Sequence, residues 1–502
     1  MSKAAHLQGS DPTSVSTASI YAIVFGCGAI AMMLELVGSR LLAPYFGNSL
    51  FVWTSLIGVM LGFMSLGYFL GGRLADRHLS TGVLFWILAG AAVSVALVAF
   101  TEGSLLPKLA VGRYLRLLAV VSAALLFAVP STLLGMVSPY CIRLRMHSIE
   151  DSGSTVGSLY ALSTLGSIVG TFAAGFWLIA MLGTHDLVLA LAVALGGLSL
   201  LVLRAGFEWR RITALGVLAL LAVMGYSGVA QGAETIDTNY DRYFIREGRD
   251  TDGAPLIGLS RDNVGAESAS YVLTGAAYRF DYYNYYDMAA DLAGPVQRAL
   301  LIGGGTFSYP RLFAAANPDA EMDAVEIDPA LYDIAKQRFG YTDNRAISIF
   351  LEDGRTFLNH AQGPYDAVFM DAFKSEATVP YQLTTRESWA MCADVLDDDG
   401  VLVMNVIASP TDSRAPFFHA LYATIEDVFP QVAAFRVQGE DGDGPHNTMI
   451  VALKNPDGDI MEAVQKTAPQ YAANLLAGYK PPAGTRILTD DFAPVDQYLL
   501  GF

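Results

Sequence analysis

Seven long apolar segments occupy most of the first 232 residues, and they constrain the fold more than any other feature. A helix that crosses a bilayer needs about 20 mostly apolar residues. The first segment follows a polar tail at residues 1–19 and lacks a small-residue cleavage site, so it is interpreted as a span and not as a signal peptide. Residues 20–232 are therefore predicted to form a multi-pass helical domain in a lipid bilayer. The segments are 20–42, 51–72, 82–100, 115–138, 156–181, 184–204 and 210–229.

Charge divides the chain near residue 232. The apolar part holds 12 Lys and Arg against 8 Asp and Glu, whereas the remainder holds 19 against 40. The net charge of −17 thus combines a balance of +4 with one of −21. The acidic surface of the second part argues against a nucleic-acid partner, because phosphate binding needs a basic surface. The three cysteines form neither a disulfide framework nor a zinc-type spacing, and no metal site is predicted.

Basic residues in the loops predict an orientation for the helices. They are more frequent on the amino-terminal side, so the positive-inside rule places the amino terminus in the cytoplasm. Seven spans would then place the acidic part outside the cytoplasm. A nucleotide donor is a cytoplasmic metabolite, and the chemistry predicted below favours the opposite side. The side of the acidic domain therefore stays open at this stage.

The acidic part shows two successive strand patterns. Residues 233–296 contain short strand signals at 243–245, 256–259 and 270–273, separated by Gly, Asp and Pro turns, and are predicted to form a small β subdomain. From residue 297 to 502, strands and helices alternate, which predicts an α/β domain with a parallel sheet covered by helices. Its strands are predicted at 298–302, 321–327, 347–350, 365–370 and 401–406.

Glycines and carboxylates follow the ends of the predicted parallel strands, where such sheets bind ligands. Gly303–Gly305 would let the backbone approach a ligand closely. Glu326 lies 21 residues after Gly305 and can accept both hydroxyls of a ribose. Asp353 can accept an adenine amino group, and Asp371 reaches the centre of the cleft. The pattern predicts an adenosyl-type site, while the missing third glycine of a G-x-G-x-x-G fingerprint disfavours a plain dinucleotide site.

This arrangement resembles the polyamine aminopropyltransferases, the spermidine synthase family, over about residues 240–500. The apolar part resembles the transmembrane part that is fused to such domains in bacteria, where Gly71–Arg77 and Leu488–Val495 are typical of that branch. The resemblance implies a methyltransferase-like, Rossmann-like sheet after a small β subdomain, in a bacterial inner-membrane protein. Four segments carry it: Gly303-Gly304-Gly305, Glu326-Ile327-Asp328-Pro329, Glu352-Asp353-Gly354-Arg355 and Tyr365-Asp366-Ala367-Val368-Phe369-Met370-Asp371.

The family transfers an aminopropyl group from decarboxylated S-adenosylmethionine to a small cationic amine such as putrescine. The resemblance implies that Glu326 binds ribose, that Asp353 and Gly354 bind adenine, and that the three glycines lie against the sulfonium ligand. Asp371 would hold the attacking amine, whose nitrogen must lose a proton before it attacks carbon, and carboxylates serve both tasks. The implied substrate contacts are Tyr271, Tyr286 and Asp287.

Two positions depart from the family's pattern. The family's glycine loop continues with an acid that grips the aminopropyl amine, whereas this chain has Thr306. The second acid of the gate loop, the usual proton acceptor, is replaced by Lys374, and Glu376 is the predicted substitute. Four functions remain open. They are an aminopropyltransferase, a non-catalytic relative that binds or scaffolds partners, a methyltransferase that uses intact S-adenosylmethionine, and a transporter formed by the membrane half. A homodimer or a partner in a membrane complex is compatible with each.

Overall fold

The structure of the protein is a computed structural model, and its described residues divide into two compact units. One unit contains Met1–Gly232 and Ile236–Arg242, and the other contains Ala233–Thr235 and Tyr243–Phe502. The described residues are 15–46, 49–109, 115–146, 152–202, 216, 234–250, 252–261, 267–373, 379–411, 414–437, 446–457 and 460–499.

Long apolar helices build the first unit, and six of those described are long and apolar enough to cross a membrane. The predicted break between the fifth and sixth spans is confirmed, because Gly183 interrupts α6 with a φ of 73°. The seventh predicted segment, 210–229, lies outside the described residues except for Gly216. The helices are α1 (Thr17–Phe46), α2 (Leu50–Arg77), α3 (Thr81–Leu109), α4 (Leu115–Arg145), α5 (Ser152–Ala173) and α6 (Ile179–Leu200), with a π-helical turn at Ala174–Leu178 after α5.

Glycines allow two pairs of these helices to pack closely. A Cβ on Gly166 of α5 would overlap the backbone carbonyl of Phe25 in α1. A Cβ on Gly67 of α2 would likewise overlap the carbonyl of Thr132 in α4. Small residues are the usual means by which helices approach each other in lipid, where the hydrophobic effect does not drive their association.

An ion cluster holds the segment Ile236–Arg242 within the helical unit. The buried Arg242 donates a hydrogen bond from Nε to Asp237 Oδ1 at 3.0 Å, and its Nη1 lies 3.7 Å from Oε1 of Glu102 in α3. From α6, the Thr184 hydroxyl donates to Asp237 Oδ1 at 2.7 Å. His185 Nδ1 lies 3.5 Å from Glu102 Oε1. Burial of two carboxylates and a guanidinium in mutual contact limits the cost of removing each charge from water.

A four-stranded sheet opens the second half of the chain. Its strands are β1 (Glu234–Asp237), β2 (Arg242–Arg249), β3 (Pro255–Ser260) and β4 (Ser268–Tyr271), in that order. Strands β2 to β4 pair antiparallel, and β2 and β3 contain the predicted strand signals at 243–245 and 256–259. The third signal, 270–273, is only half right, because β4 ends at Tyr271.

A seven-stranded sheet covered by helices follows, in the order β10-β11-β9-β8-β5-β6-β7, and it confirms the Rossmann-like α/β fold. Strands β5 to β9 are parallel, as predicted. The sheet as a whole is mixed, however, because β11 runs antiparallel to both β9 and β10, and the prediction of a parallel sheet is wrong at that edge. The strands are β5 (Arg298–Ile302), β6 (Glu321–Val325), β7 (Ile347–Phe350), β8 (Tyr365–Met370), β9 (Leu396–Ile407), β10 (Gln431–Arg436) and β11 (Asn447–Leu453). The helices are α7 (Tyr283–Ala293), α8 (Ser308–Ala316), α9 (Pro329–Arg338), α10 (Gly354–Leu358), α11 (Arg386–Val395), α12 (Ala415–Glu426), α13 (Ile460–Thr467) and α14 (Val495–Leu499).

Alternate residues of the central strands enter two separate cores, one on each face of the sheet. In β5, Leu300 and Ile302 belong to the core that contains Trp389 of α11. The intervening Leu301 belongs to the core that contains Tyr286 of α7. Packing on both faces holds β5 and its neighbours in place. The residues that follow their carboxyl ends are therefore attached to a rigid edge of the sheet.

Candidate active site

The glycine loop after β5 turns tightly against the end of β8. Gly303 has a φ of 101°, and a Cβ there would lie 2.5 Å from the carbonyl oxygen of Asp371. Only glycine accepts both this conformation and this contact. Gly304 is close to the Phe307 ring, and Gly305 has a φ of 55° that directs its N–H to Glu326. The approach of this backbone to a ligand stays a prediction.

Glu326 follows β6 and is held by two backbone N–H groups. Its Oε2 accepts a hydrogen bond from Gly305 N at 2.7 Å, and its Oε1 accepts one from Asp328 N at 3.0 Å. Burial raises the pKa of this carboxyl, and the two N–H donors oppose that shift. Because a carboxylate oxygen can accept two hydrogen bonds, each oxygen keeps capacity for a ligand donor. The group can therefore take two neighbouring hydroxyls.

Asp353 and Gly354 stand where β7 leads into α10, next to Glu326. The two strand ends are joined by the hydrogen bond from Glu326 N to Phe350 O at 2.9 Å. Asp353 Oδ1 accepts from Thr356 N at 3.0 Å and caps α10, while its Oδ2 lies 3.5 Å from Gln382 Nε2. A Cβ on Gly354 would lie 2.5 Å from Ile302 Cγ2, so this residue brings the backbone close to β5.

Asp371 follows β8 and lies deeply buried, with 3% of its surface exposed. Its backbone N–H donates to Ile302 O at 2.8 Å. Its Oδ2 accepts from the Tyr282 hydroxyl and its Oδ1 from Asn405 Nδ2, both at 3.3 Å. The neighbouring strand supplies Asn405, because Met370 of β8 pairs with Met404 of β9.

Two open polar atoms lie in the same buried region as Asp371. The hydroxyl of Tyr286 and Oδ1 of Asn405 are buried with no hydrogen-bond partner among the described residues. Burial and the charge of Asp371 raise the pKa of Tyr286 well above its usual range, so this phenol stays protonated. A carboxylate, an amide oxygen and the rings of Tyr282 and Tyr286 suit an ammonium group, because each of them attracts a cation or accepts its N–H.

The other sequence candidates occupy different surroundings. Asp287 is half-exposed and forms an ion pair with Arg279. Tyr271 ends β4, and its ring packs beside Tyr278. The hydroxyl of Thr306 is buried 3.2 Å from Ser308 Oγ. Lys374 and Glu376 lie outside the described residues.

Sequence reasoning missed Asn405 as a member of the Asp371 site, and it placed Tyr282 only in an aromatic cluster at 282–286 that could enclose an ammonium group. Asn405 carried a usable signal, because it is a polar residue near the carboxyl end of an otherwise apolar strand. Tyr282 carried none beyond its place in an aromatic cluster. Among the described residues, no group of three or more His, Cys, Asp and Glu side chains could hold a metal ion.

Comparisons with known proteins match the same part of the chain. Residues 287–438 match the family described as the Spermine/spermidine synthase domain. The polyamine aminopropyltransferase of Vibrio vulnificus is 30% identical over 218 residues, which cover 40% of this chain and 69% of that protein. The probable polyamine aminopropyl transferase of Bifidobacterium longum is 26% identical over 237 residues, or 43% of this chain and 52% of that protein.

A solved structure is also similar. The crystal structure of a probable spermidine synthase from Corynebacterium glutamicum aligns with a TM-score of 0.41 at 20% identity, covering 52% of this chain and 97% of that one. The glycine loop, the strand-end carboxylates and the identity to the Vibrio enzyme agree on one assignment. Through its C-terminal part, the chain belongs to the polyamine aminopropyltransferase family, which carries the spermine/spermidine synthase domain.

Proposed function

We propose that the protein transfers an aminopropyl group from decarboxylated S-adenosylmethionine to a small amine. The observation that carries this proposal is the buried Asp371 carboxylate, which meets Tyr282 and Asn405 at the sheet edge that also bears Glu326 and the glycine loop. That edge offers an acceptor pair for ribose beside an anionic site for an ammonium group.

The proposed reaction is a displacement at carbon. The amine first gives up a proton to a carboxylate, for which Asp371 and Glu376 are the proposed acceptors. Its nitrogen lone pair then forms a bond to the CH₂ group next to the sulfonium sulfur. The carbon–sulfur bond breaks, its electron pair stays on sulfur, and neutral methylthioadenosine leaves. Glu326 and Asp353 hold the adenosyl part, so that the reacting carbon faces the amine.

A non-catalytic binding role is the second candidate. Thr306 favours it, because a neutral hydroxyl bonded to Ser308 stands where the family's acid would hold the donor amine. In this role the adenosyl ligand would bind without turnover. In either role we propose that the six apolar helices anchor the protein in a bacterial inner membrane, and that a homodimer or a membrane partner completes the assembly.

The test measures methylthioadenosine release by the purified full-length protein, supplied with putrescine and decarboxylated S-adenosylmethionine. Asp371→Asn should lower kcat/KM at least about 100-fold, because the carboxylate both binds the ammonium and takes its proton. Asp333→Asn, which alters an exposed carboxylate on α9, is the matched control and should keep wild-type activity. Calorimetry with methylthioadenosine runs in parallel. Binding without turnover would establish the second candidate, and absence of both would overturn the adenosyl site itself.

A further inference from the structure

A segment near the end of the chain packs against the adenosyl end of the site. Leu488 O accepts a hydrogen bond from Arg386 N at 2.8 Å, and Leu488 N donates to Thr424 Oγ1 at 2.9 Å. These bonds fix the segment to the start of α11 and to α12. Asp490 follows two residues later, so these hydrogen bonds also hold its backbone in place. About half of its side chain is exposed.

Both carboxylate oxygens of Asp490 accept hydrogen bonds from residues of two other segments. Its Oδ2 accepts from Arg355 Nη2 at 2.6 Å, and its Oδ1 accepts from the Thr385 hydroxyl at 2.7 Å. Its backbone N–H donates to Glu387 Oε2 at 3.0 Å. Arg355 belongs to α10 and Thr385 is the N-cap of α11, so one carboxylate joins the starts of both helices.

Arg355 carries this link to the turn Tyr381–Leu383. Its Nη1 lies 3.4 Å from both Gln382 O and Thr385 Oγ1. From the same turn, Gln382 Nε2 lies 3.5 Å from Asp353 Oδ2. Leu383 Cδ1 would lie 3.6 Å from a Cβ on Gly354. The turn thus packs on the two residues proposed to bind adenine.

We propose that Asp490 is a positioning residue for adenine recognition, an inference that rests on the proposed adenosyl site. It orients the Arg355 guanidinium and the Thr385 hydroxyl, which together fix the turn against Asp353. Without Asp490, Arg355 would contact the turn through one long hydrogen bond, 3.4 Å to Gln382 O, and Thr385 through another of the same length. The turn would then become more mobile. Asp353 would no longer be held in a single orientation toward the adenine amino group.

The experiment compares 5′-methylthioadenosine with 5′-methylthioinosine, which carries an exocyclic carbonyl oxygen in place of the adenine amino group. Affinities are measured by calorimetry on the full-length protein. The wild type should prefer methylthioadenosine, and Asp490→Asn should reduce this preference about fivefold, the size expected for losing one half-exposed ion pair. Asp491→Asn changes the adjacent exposed carboxylate and should keep the wild-type preference.

Thermal denaturation separates positioning from loss of folding. Asp490→Asn should unfold close to the wild-type temperature, because an ion pair at this exposure contributes little to stability. An unchanged preference in Asp490→Asn would overturn the inference while leaving the proposed adenosyl site intact. Failure of the wild type to bind either nucleoside would instead overturn the proposed function. If Asp490→Asn fails to fold, Arg355→Lys tests the same link, and an unchanged preference there overturns it.

Discussion

The Glu326 carboxyl combines two opposing influences that make its binding role sensitive to pH. Its burial disfavours the charged form, whereas the N–H groups of Gly305 and Asp328 favour it, and the net effect is a raised pKa. A raised pKa means that protonation occurs at a higher pH than for an ordinary glutamate. Once protonated, the group can no longer accept hydrogen bonds equally at both oxygens, so ribose binding should weaken.

We therefore expect the Kd for methylthioadenosine to rise about tenfold as the pH falls through this raised pKa, as a hydrogen bond to a charged acceptor is lost. Glu326→Gln should bind weakly at every pH and lack this transition. Glu321→Gln, at the exposed start of β6, should behave like the wild type. Calorimetry from pH 8 to pH 4, below the ordinary pKa of 4.5 for a glutamate, measures the effect. A wild-type Kd that stays constant over this range would contradict the role of Glu326.

At the same scale, the residues that could be predicted are those that follow strands. Glu326, Asp353 and Asp371 each come directly after an apolar strand, so the rule for parallel sheets places them at one edge without knowledge of side-chain packing. Tyr282 and Asn405 lie 89 and 34 residues from Asp371 along the chain. Their contact with it depends on strand order and on the position of α7, which a single sequence does not specify.

At the scale of the elements, the ion cluster around Arg242 should be sensitive to the substitution of a single residue. Glu102→Ala removes one of the two carboxylates that face the buried guanidinium of Arg242. Asp237 still pairs with that guanidinium, so the lost contacts to Arg242 and His185 should lower the free energy of unfolding by about 2 kcal/mol. Asp76→Asn breaks the exposed pair with Arg143 and should cost less than about 1 kcal/mol. Thermal unfolding in detergent compares the two variants. Equal losses would mean that the cluster does not stabilise the helical unit.

The positions of the helices and strands follow the apolar periodicity of the sequence. The errors of the prediction arise where contacts form between segments that are far apart along the chain. Strands β5, β7 and β8 begin and end at their predicted positions, since each is a short apolar run bounded by turn residues. Strand β6 ends two residues early, and β9 begins five residues before the predicted start because it includes the polar run Asp397–Asp399. Strands β10 and β11 were not predicted. They pair antiparallel, because the ten residues 437–446 between them are too few for the crossover that a parallel pair needs. The cluster of Glu102 and Arg242 was also missed, because its members come from α3, α6 and a strand that follows the helices.

At the scale of the whole molecule, only a few of the acidic residues in the second part of the chain belong to the proposed site. The acidic residues behind the balance of −21 in residues 233–502 include the carboxylates of the site. Most of those that the structure describes are exposed at the surface, where charge favours solubility. Ion pairs such as Arg279–Asp287 further show that a carboxylate near the site need not face a ligand. The charge that matters to the proposed amine is the buried carboxylate of Asp371, which lies beside the rings of Tyr282 and Tyr286.

The side of the membrane on which this domain lies is decided by the parity of the spans. A cytoplasmic amino terminus and six spans place residues that follow α6 in the cytoplasm, together with the proposed donor. A seventh span at 210–229 would reverse this. The proposed transferase function requires the acidic domain to lie in the cytoplasm, because its donor is a cytoplasmic metabolite.

Reporter fusions distinguish the two topologies. A fluorescent protein fused after Phe502 should be bright and alkaline phosphatase at the same position inactive, with the same result for fusions after Val202. A fusion after Leu109, which follows the third span, should give active phosphatase and serves as the control. Active phosphatase after Phe502 together with inactive phosphatase after Val202 would show that 210–229 crosses the bilayer. The acidic domain would then be separated from the cytoplasmic donor, and the binding role would replace the transferase as the proposed function.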